Sequence, residues 1–296
     1  MRSFLYVPGN QPKMLASALT RGADALIVDL EDAVPPGEKQ AARHTVAAWL
    51  RSLPAGAPVW VRVNSGPDGL ADARAVIAPA PRGDARAVIT PAPHTDARAV
   101  ITPALRGLVV AKASPDQLTA LAGLLGEHDP AGAVGLVPLL ETPQAILAAA
   151  AIASAPRVTR LQIGEADLSA ELGITPGDQE LLLVRSSVVL ASAAAGIEPP
   201  VAAVTTDFRD LDALRRSTLA LKRLGFRGRA CIHPAQIPVV HDVFTPTAEE
   251  IATARDLITR FETAGGGVCL DARGRMVDLA VIRDARRTLS STPPTP

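Results

Sequence analysis

Short, largely apolar strand-like runs recur along this chain at residues 4–7, 25–30, 59–64, 107–112, 134–140, 161–164, 201–204 and 229–232. Between them lie longer stretches with helical spacing, at about 12–21, 39–50, 115–125, 143–154, 178–195 and 207–224. Apolar runs without polar alternation suit parallel strands covered on both faces, and the intervening helices supply that cover. Ser114 before Pro115 and Thr142 before Pro143 read as helix caps with proline in the first turn. The pattern predicts an α/β fold, a (β/α)8 TIM barrel, over residues 1–245. No G-x-G-x-x-G follows any strand, which disfavours a dinucleotide-binding sheet. Residues 246–296 are expected to form a C-terminal helical extension or lid.

One segment departs from this alternation. Asp72-Ala-Arg-Ala-Val-Ile-Ala-Pro-Ala-Pro-Arg-Gly recurs with few changes from Asp84 and from Asp96, a tandem repeat of twelve residues over 72–107. The period is far below that of solenoid repeats, and the prolines closing each copy forbid a continuous helix. One copy reads as the ordinary helix and turn between the third and fourth strands. The other two read as an inert, mobile expansion emerging opposite the active face, with an oligomer contact as the alternative.

Composition narrows the function. Thirty basic and thirty acidic side chains cancel, with no block of like charge, which argues against a nucleic-acid partner. No apolar run approaches the roughly 18 residues needed to span a membrane, and no signal peptide precedes the first strand. Cys231 and Cys269 lack metal-ligand or disulfide spacing. A cytoplasmic location is expected.

The candidate chemistry falls on one rim. In a barrel of this kind the C-terminal strand ends carry catalysis. Asp29, Glu31 and Asp32 end the second predicted strand, Arg62 and Asn64 the third, Lys112 the fourth, Glu141 the fifth, Glu165 and Asp167 the sixth, and His233 the eighth. A single acid in such a place is usually a cap or an ion pair. Convergence of this many suggests a metal or substrate that compensates their charge. Carboxylates without cysteine or histidine beside them suit Mg2+, a hard cation that keeps water. Glu141 and Asp167 lead as ligands. Arg62 offers a planar fork for a carboxylate, with an ion pair to Asp29 or Glu31 as the competing role. Gly135 and Gly164 permit close backbone approach, while His233 before Pro234 suits a turn lock. Such a set fits metal-assisted chemistry on a small oxo or hydroxy acid.

Six motifs carry a resemblance: Arg2-Ser-Phe-Leu-Tyr-Val-Pro-Gly, Gly22-Ala-Asp-Ala-Leu-Ile-Val-Asp-Leu-Glu-Asp-Ala-Val, Val61-Arg-Val-Asn, Leu140-Glu-Thr, Gly164-Glu-Ala-Asp-Leu and Cys231-Ile-His-Pro-Ala-Gln. Together they resemble the citrate lyase β-subunit-like family of the HpcH/HpaI aldolase superfamily, over nearly the whole chain outside the repeat. The resemblance implies a TIM barrel, trimeric or hexameric, that cleaves or forms 3-hydroxyacyl thioesters with magnesium. It makes Glu141 and Asp167 the metal ligands and has Glu31 and Asp32 bind the metal's waters. Arg62 then holds the oxo-acid carboxylate, and the backbone of Gly164, Glu165, Ala166 and Asp167 lines its pocket. Gly274-Arg-Met-Val-Asp resembles the family segment that reaches a neighbouring subunit's site, which makes Asp278 the residue that moves a proton at the acetyl-thioester carbon. The competing role for Asp278 is the N-cap of the helix that follows.

Where the family carries basic residues for coenzyme A phosphates, this chain has Gln11 and Ser17, with Lys13 nearby as a substitute. Where the family has Pro-Lys-x-Glu, it has Ala111-Lys-Ala-Ser. The expected function is a carbon–carbon lyase acting on malyl-, citramalyl- or citryl-coenzyme A, or on an acyl-carrier-protein thioester. Alternatives are a pyruvate-type aldolase acting on aldehydes, a thioesterase or malate-synthase-like outcome, and a non-catalytic scaffold.

Overall fold

The computed structural model describes residues 1–77 and 102–291. Eight parallel strands close a barrel in sequence order: β1 (Ser3–Pro8), β2 (Ala25–Asp29), β3 (Val59–Val63), β4 (Leu105–Val110), β5 (Gly135–Leu140), β6 (Arg160–Ile163), β7 (Glu198–Ala202) and β8 (Gly228–Cys231). Closure is direct: Phe4 pairs with Ala25 on β2 and with Ala230 on β8. Alternate residues point inward. Phe4, Ala25, Ile27, Trp60, Val109, Val137, Leu139, Val201 and Ala230 therefore form one buried cluster that fills the barrel. Trp60 fits because Gly107 has no side chain; a Cβ there would lie 2.9 Å from the indole Nε1 and 2.5 Å from the Gly135 carbonyl oxygen.

Helices α1 (Pro12–Ala18), α2 (Lys39–Ser52), α3 (Gly66–Ile77), α4 (Pro115–His128), α5 (Pro143–Leu147), α6 (Ala149–Ala153), α7 (Glu165–Leu172), α8 (Leu182–Ala194) and α9 (Leu211–Leu224) cover the outside. Both predicted caps are made: the Ser114 and Thr142 side chains accept the N–H groups of Gln117 and Ala145. The helix expected over 143–154 is instead two, separated at Ala148, whose ψ is 7°. The helix expected from Asp178 begins at Leu182, and Asp178, outside it, accepts from Arg185 in its first turn. Helix α7, which periodicity missed, follows β6 at once and stops at left-handed Gly173 after eight residues, too few for a visible period.

The first repeat copy enters α3, where buried Asp72 accepts from the Asn64 N–H and pairs with Arg43. The third copy ends by running into β4, at Leu105. The expectation of a mobile expansion concerns mainly 78–101, which lie outside the described residues.

Residues Met1–Val240 form one compact unit and His241–Pro296 another, with helix α10 (Gln236–Phe244) spanning the division. In the second unit, α11 (Ala248–Thr263) opens with a capping box between Thr247 and Glu250. A short hairpin, β9 (Cys269–Leu270) and β10 (Met276–Val277), leads to α12 (Leu279–Ser290). Phe261, Val277 and Ile282 form its core. Among the described residues no helix is long and apolar enough to cross a membrane.

Candidate active site

Parallel strands that end together bring distant acids to one rim. Asp29 closes β2, with Glu31 and Asp32 just beyond; Arg62 lies in β3; Glu141 follows β5; and Gly164 to Asp167 join β6 to α7. Arg62, Asp32, Glu141, Gly164, Glu165, Ala166 and Asp167 line a single cavity of about 870 Å³. That volume accommodates a small acid with part of a longer substituent.

Arg62 lies over the Tyr6 ring, 5.0 Å from its centroid. It donates twice to Asp29, from Nε at 2.7 Å and Nη2 at 2.5 Å, and its Nη1 is 2.8 Å from Glu31. Asp29 is buried and also accepts the N–H groups of Glu31 and Ala33. The ion pair weighed against a substrate role is thus formed, and it fixes the guanidinium at the cavity wall. The side chain of Asp32 is exposed and 3.6 Å from Arg62.

Lys112 ties the remaining acids together. Its backbone is left-handed, with φ 45°, a conformation that costs a side-chain-bearing residue about 1–2 kcal/mol. In that conformation its N–H donates to Glu141 at 2.6 Å. Its ammonium donates to Glu31 at 3.1 Å and Asp167 at 3.0 Å, and lies 4.0 Å from Glu141. Burial pulls the Lys112 pKa down, but the bonds to Asp167 and Glu31 outweigh it and hold it above the ordinary lysine range.

Burial pushes the Glu141 carboxyl up to about 7; the Lys112 N–H opposes this, and the charges of Glu31 and Asp167 reinforce it. Burial also raises Glu31, against the pull of Arg62. Gly164 brings the β6 end against Glu141: a Cβ there would lie 2.7 Å from the Glu141 Cβ and 2.8 Å from its Oε2. The Glu165 carboxylate is occupied by a two-point bond to Arg185, so its backbone, with that of Ala166, is what remains for a ligand.

His233 serves as the turn lock expected of it, accepting the Ala235 N–H and stacking on Phe208. Asp278 belongs to the second unit and caps α12: one carboxylate oxygen accepts the N–H groups of Ala280 at 2.9 Å and Val281 at 3.1 Å. Its other oxygen has no partner among the described residues.

Sequence reasoning missed Lys112 as a bridge and two further cavity residues, Arg185 and Arg229. Arg229 is buried on neutral oxygens of Ala203, Ser217 and Thr218, and burial lowers its pKa to about 10. A charge beside Ala230 and Cys231 in an apolar run was its only signal.

The chain and its fold have known relatives. The chain is 32% identical over 306 residues to the citrate lyase subunit beta-like protein of Deinococcus radiodurans, covering 98% of this chain and 96% of that one. It is 34% identical to a (3S)-malyl-CoA thioesterase of Cereibacter sphaeroides, covering 98% and 93%. The structure superposes with a TM-score of 0.74 on CitE from Mycobacterium tuberculosis in complex with magnesium, acetoacetate and coenzyme A, at 26% identity and covering 98% and 97%. The HpcH/HpaI aldolase/citrate lyase family model matches residues 2–234, and this chain belongs to that family of carbon–carbon lyases.

Proposed function

We propose that this protein is a magnesium-dependent lyase that cleaves or forms a 3-hydroxy-3-carboxyacyl thioester, such as malyl-, citramalyl- or citryl-coenzyme A. The observation that carries the reading is the convergence of Glu31, Glu141 and Asp167 on the single ammonium of Lys112, with Glu141 and Asp167 lining one cavity together with Arg62. The donor set fits magnesium. The two proposed ligands are both carboxylates, which suit a hard cation that keeps several waters. Glu141 and Asp167 would hold the ion, with Glu31 and Asp32 orienting its waters. When bound, it would supply positive charge beside the oxo acid's carboxylate and keto oxygens.

The protein's own groups do the rest. Arg62, steadied by Asp29, faces the oxo-acid carboxylate and any enolate charge. The backbone at the start of α7 offers N–H groups that no helical carbonyl takes. In cleavage the 3-hydroxyl gives its proton to water in the cavity, the carbon–carbon bond breaks with its electron pair toward the thioester, and the resulting enolate carbon takes a proton from an acid that solvent then reprotonates. Asp278 would deliver that proton with the oxygen that its cap leaves free. On this reading residues 246–296 serve a neighbouring subunit in a cytoplasmic homotrimer or hexamer. Hydrolytic release of free acid is the second outcome, favoured by likeness to the malyl-CoA thioesterase.

Purified protein with magnesium and malyl-, citramalyl- or citryl-coenzyme A is expected to yield acetyl-coenzyme A with glyoxylate, pyruvate or oxaloacetate, read by mass spectrometry. Free coenzyme A with intact hydroxy acid would indicate hydrolysis. Turnover of no thioester, with turnover of pyruvate and an aldehyde, would replace the reading with the aldolase. Mixing inactive Arg62→Ala and Asp278→Ala chains tests the shared site; recovered activity is expected.

Gly164→Ala is expected to lower turnover about 10–100-fold, because the added methyl must displace the Glu141 carboxylate. Unchanged turnover in a variant with native circular dichroism would show that the close approach is not needed.

A further inference from the structure

Three carboxylates share one partly exposed cation, Lys112. The inference that follows rests on the reading of Glu141 and Asp167 as ligands and concerns what holds them before a metal arrives. Arg62 cannot be the cation that yields. Its side chain is 11% exposed and fixed on Asp29 by two hydrogen bonds. Lys112 is placed differently. Its side chain is 39% exposed, its partner Asp167 is 44% exposed, and four flexible methylenes give the ammonium a way out to solvent. Nor does its departure strand Glu31, which keeps Arg62 at 2.8 Å.

We propose that Lys112 is a resident counter-cation of this cluster, displaced from Asp167 and from the approach to Glu141 when a divalent ion binds, so that one side chain sets the metal affinity. The left-handed backbone at Lys112 divides its two duties. The N–H stays on Glu141 and keeps that carboxylate aimed, while the ammonium occupies the charge position that the divalent ion must take. An ion held by Glu141 and Asp167 would share those carboxylates with an ammonium now 4.0 Å and 3.0 Å from one oxygen of each. Like charges that close repel, and the exposed partner moves.

The test is Mn2+ affinity, measured by the electron paramagnetic resonance signal of the free ion, for the wild type and the Lys112→Met, Lys112→Gln, Glu141→Ala and Asp167→Ala variants. Both Lys112 variants are expected to bind about tenfold or more tightly, since a competing charge is gone. The two acid variants should bind weakly or not at all. Equal or weaker binding by the Lys112 variants, with loss in the acid variants, overturns the exchange and leaves the ligands in place. Undiminished binding by Glu141→Ala and Asp167→Ala overturns the ligand reading itself.

A second measurement needs no variant and so survives a failure to fold. Acylation of Lys112 by an N-hydroxysuccinimide ester, followed by peptide mass spectrometry, should be faster with saturating Mg2+ than in chelator. Lys39 is the internal reference: its ammonium is held by the Leu30 and Glu31 carbonyls and the Asn64 side chain, not by the proposed ligands. A rate at Lys112 that metal leaves unchanged or slows overturns the proposal.

Discussion

Glu141→Gln is expected to give a protein that is more stable than the wild type without metal and inactive with it. Glu141 is 3% exposed, and burial raises its pKa from 4.5 to about 7. A carboxyl with a raised folded-state pKa holds its proton more tightly when folded. Its stabilising contribution is complete below the unfolded value and is lost as pH rises toward about 7. Above that, ionised Glu141 costs the metal-free protein about 3 kcal/mol relative to a neutral isostere. Glutamine keeps the shape, still accepts the Lys112 N–H and never ionises. Calorimetry in chelator should therefore show the variant melting about 5–10 °C higher at pH 8. At pH 4 the difference should vanish. The same substitution removes a ligand charge, and turnover with magnesium should fall by about a thousandfold or more. An equal melting difference at both pH values would mean that Glu141 is not held against its own ionisation.

This conflict between stability and charge explains what was legible in the sequence. Strands such as β2, β5 and β6 were readable because they are buried along their whole length and show as apolar runs, and the site acids were readable because they interrupt or end those runs. Periodicity failed where the site itself begins. Helix α7 offers only eight residues, and its first turn is given to the cavity rather than to the core. The break at Ala148 involves alanines alone, which carry no pattern. Lys112 appeared only as one more polar residue at a strand end; its bridging role depends on a left-handed backbone and on acids 29, 55 and 81 positions away. Arg62 posed the opposite problem. Its residue type suggested a carboxylate partner, and the fold supplies one from the neighbouring strand, where Asp29 stands in register with Arg62.

Arg62→Ala carries the second large effect, on folding as well as chemistry. The guanidinium is the ion-pair partner of Asp29 and supports Glu31, both nearly inaccessible to water. Removing one partner of a buried pair strands the other charge, which costs about 3–5 kcal/mol. The penalty should be uneven. Asp29 retains two backbone N–H donors, whereas Glu31 falls back on Lys112. The variant should therefore lean harder on Lys112. Arg62→Ala is expected to melt about 6–20 °C lower than wild type in chelator, and adding Asp29→Asn should recover part of that loss by removing the stranded charge. Arg62→Lys separates stability from chemistry. One ammonium satisfies the charge of Asp29 but cannot bond it at two points and reach Glu31 with a third donor. It should recover most of the melting temperature and little of the turnover. Full turnover in Arg62→Lys would show that the cavity needs only a positive charge at this position, and that the forked geometry serves the fold alone.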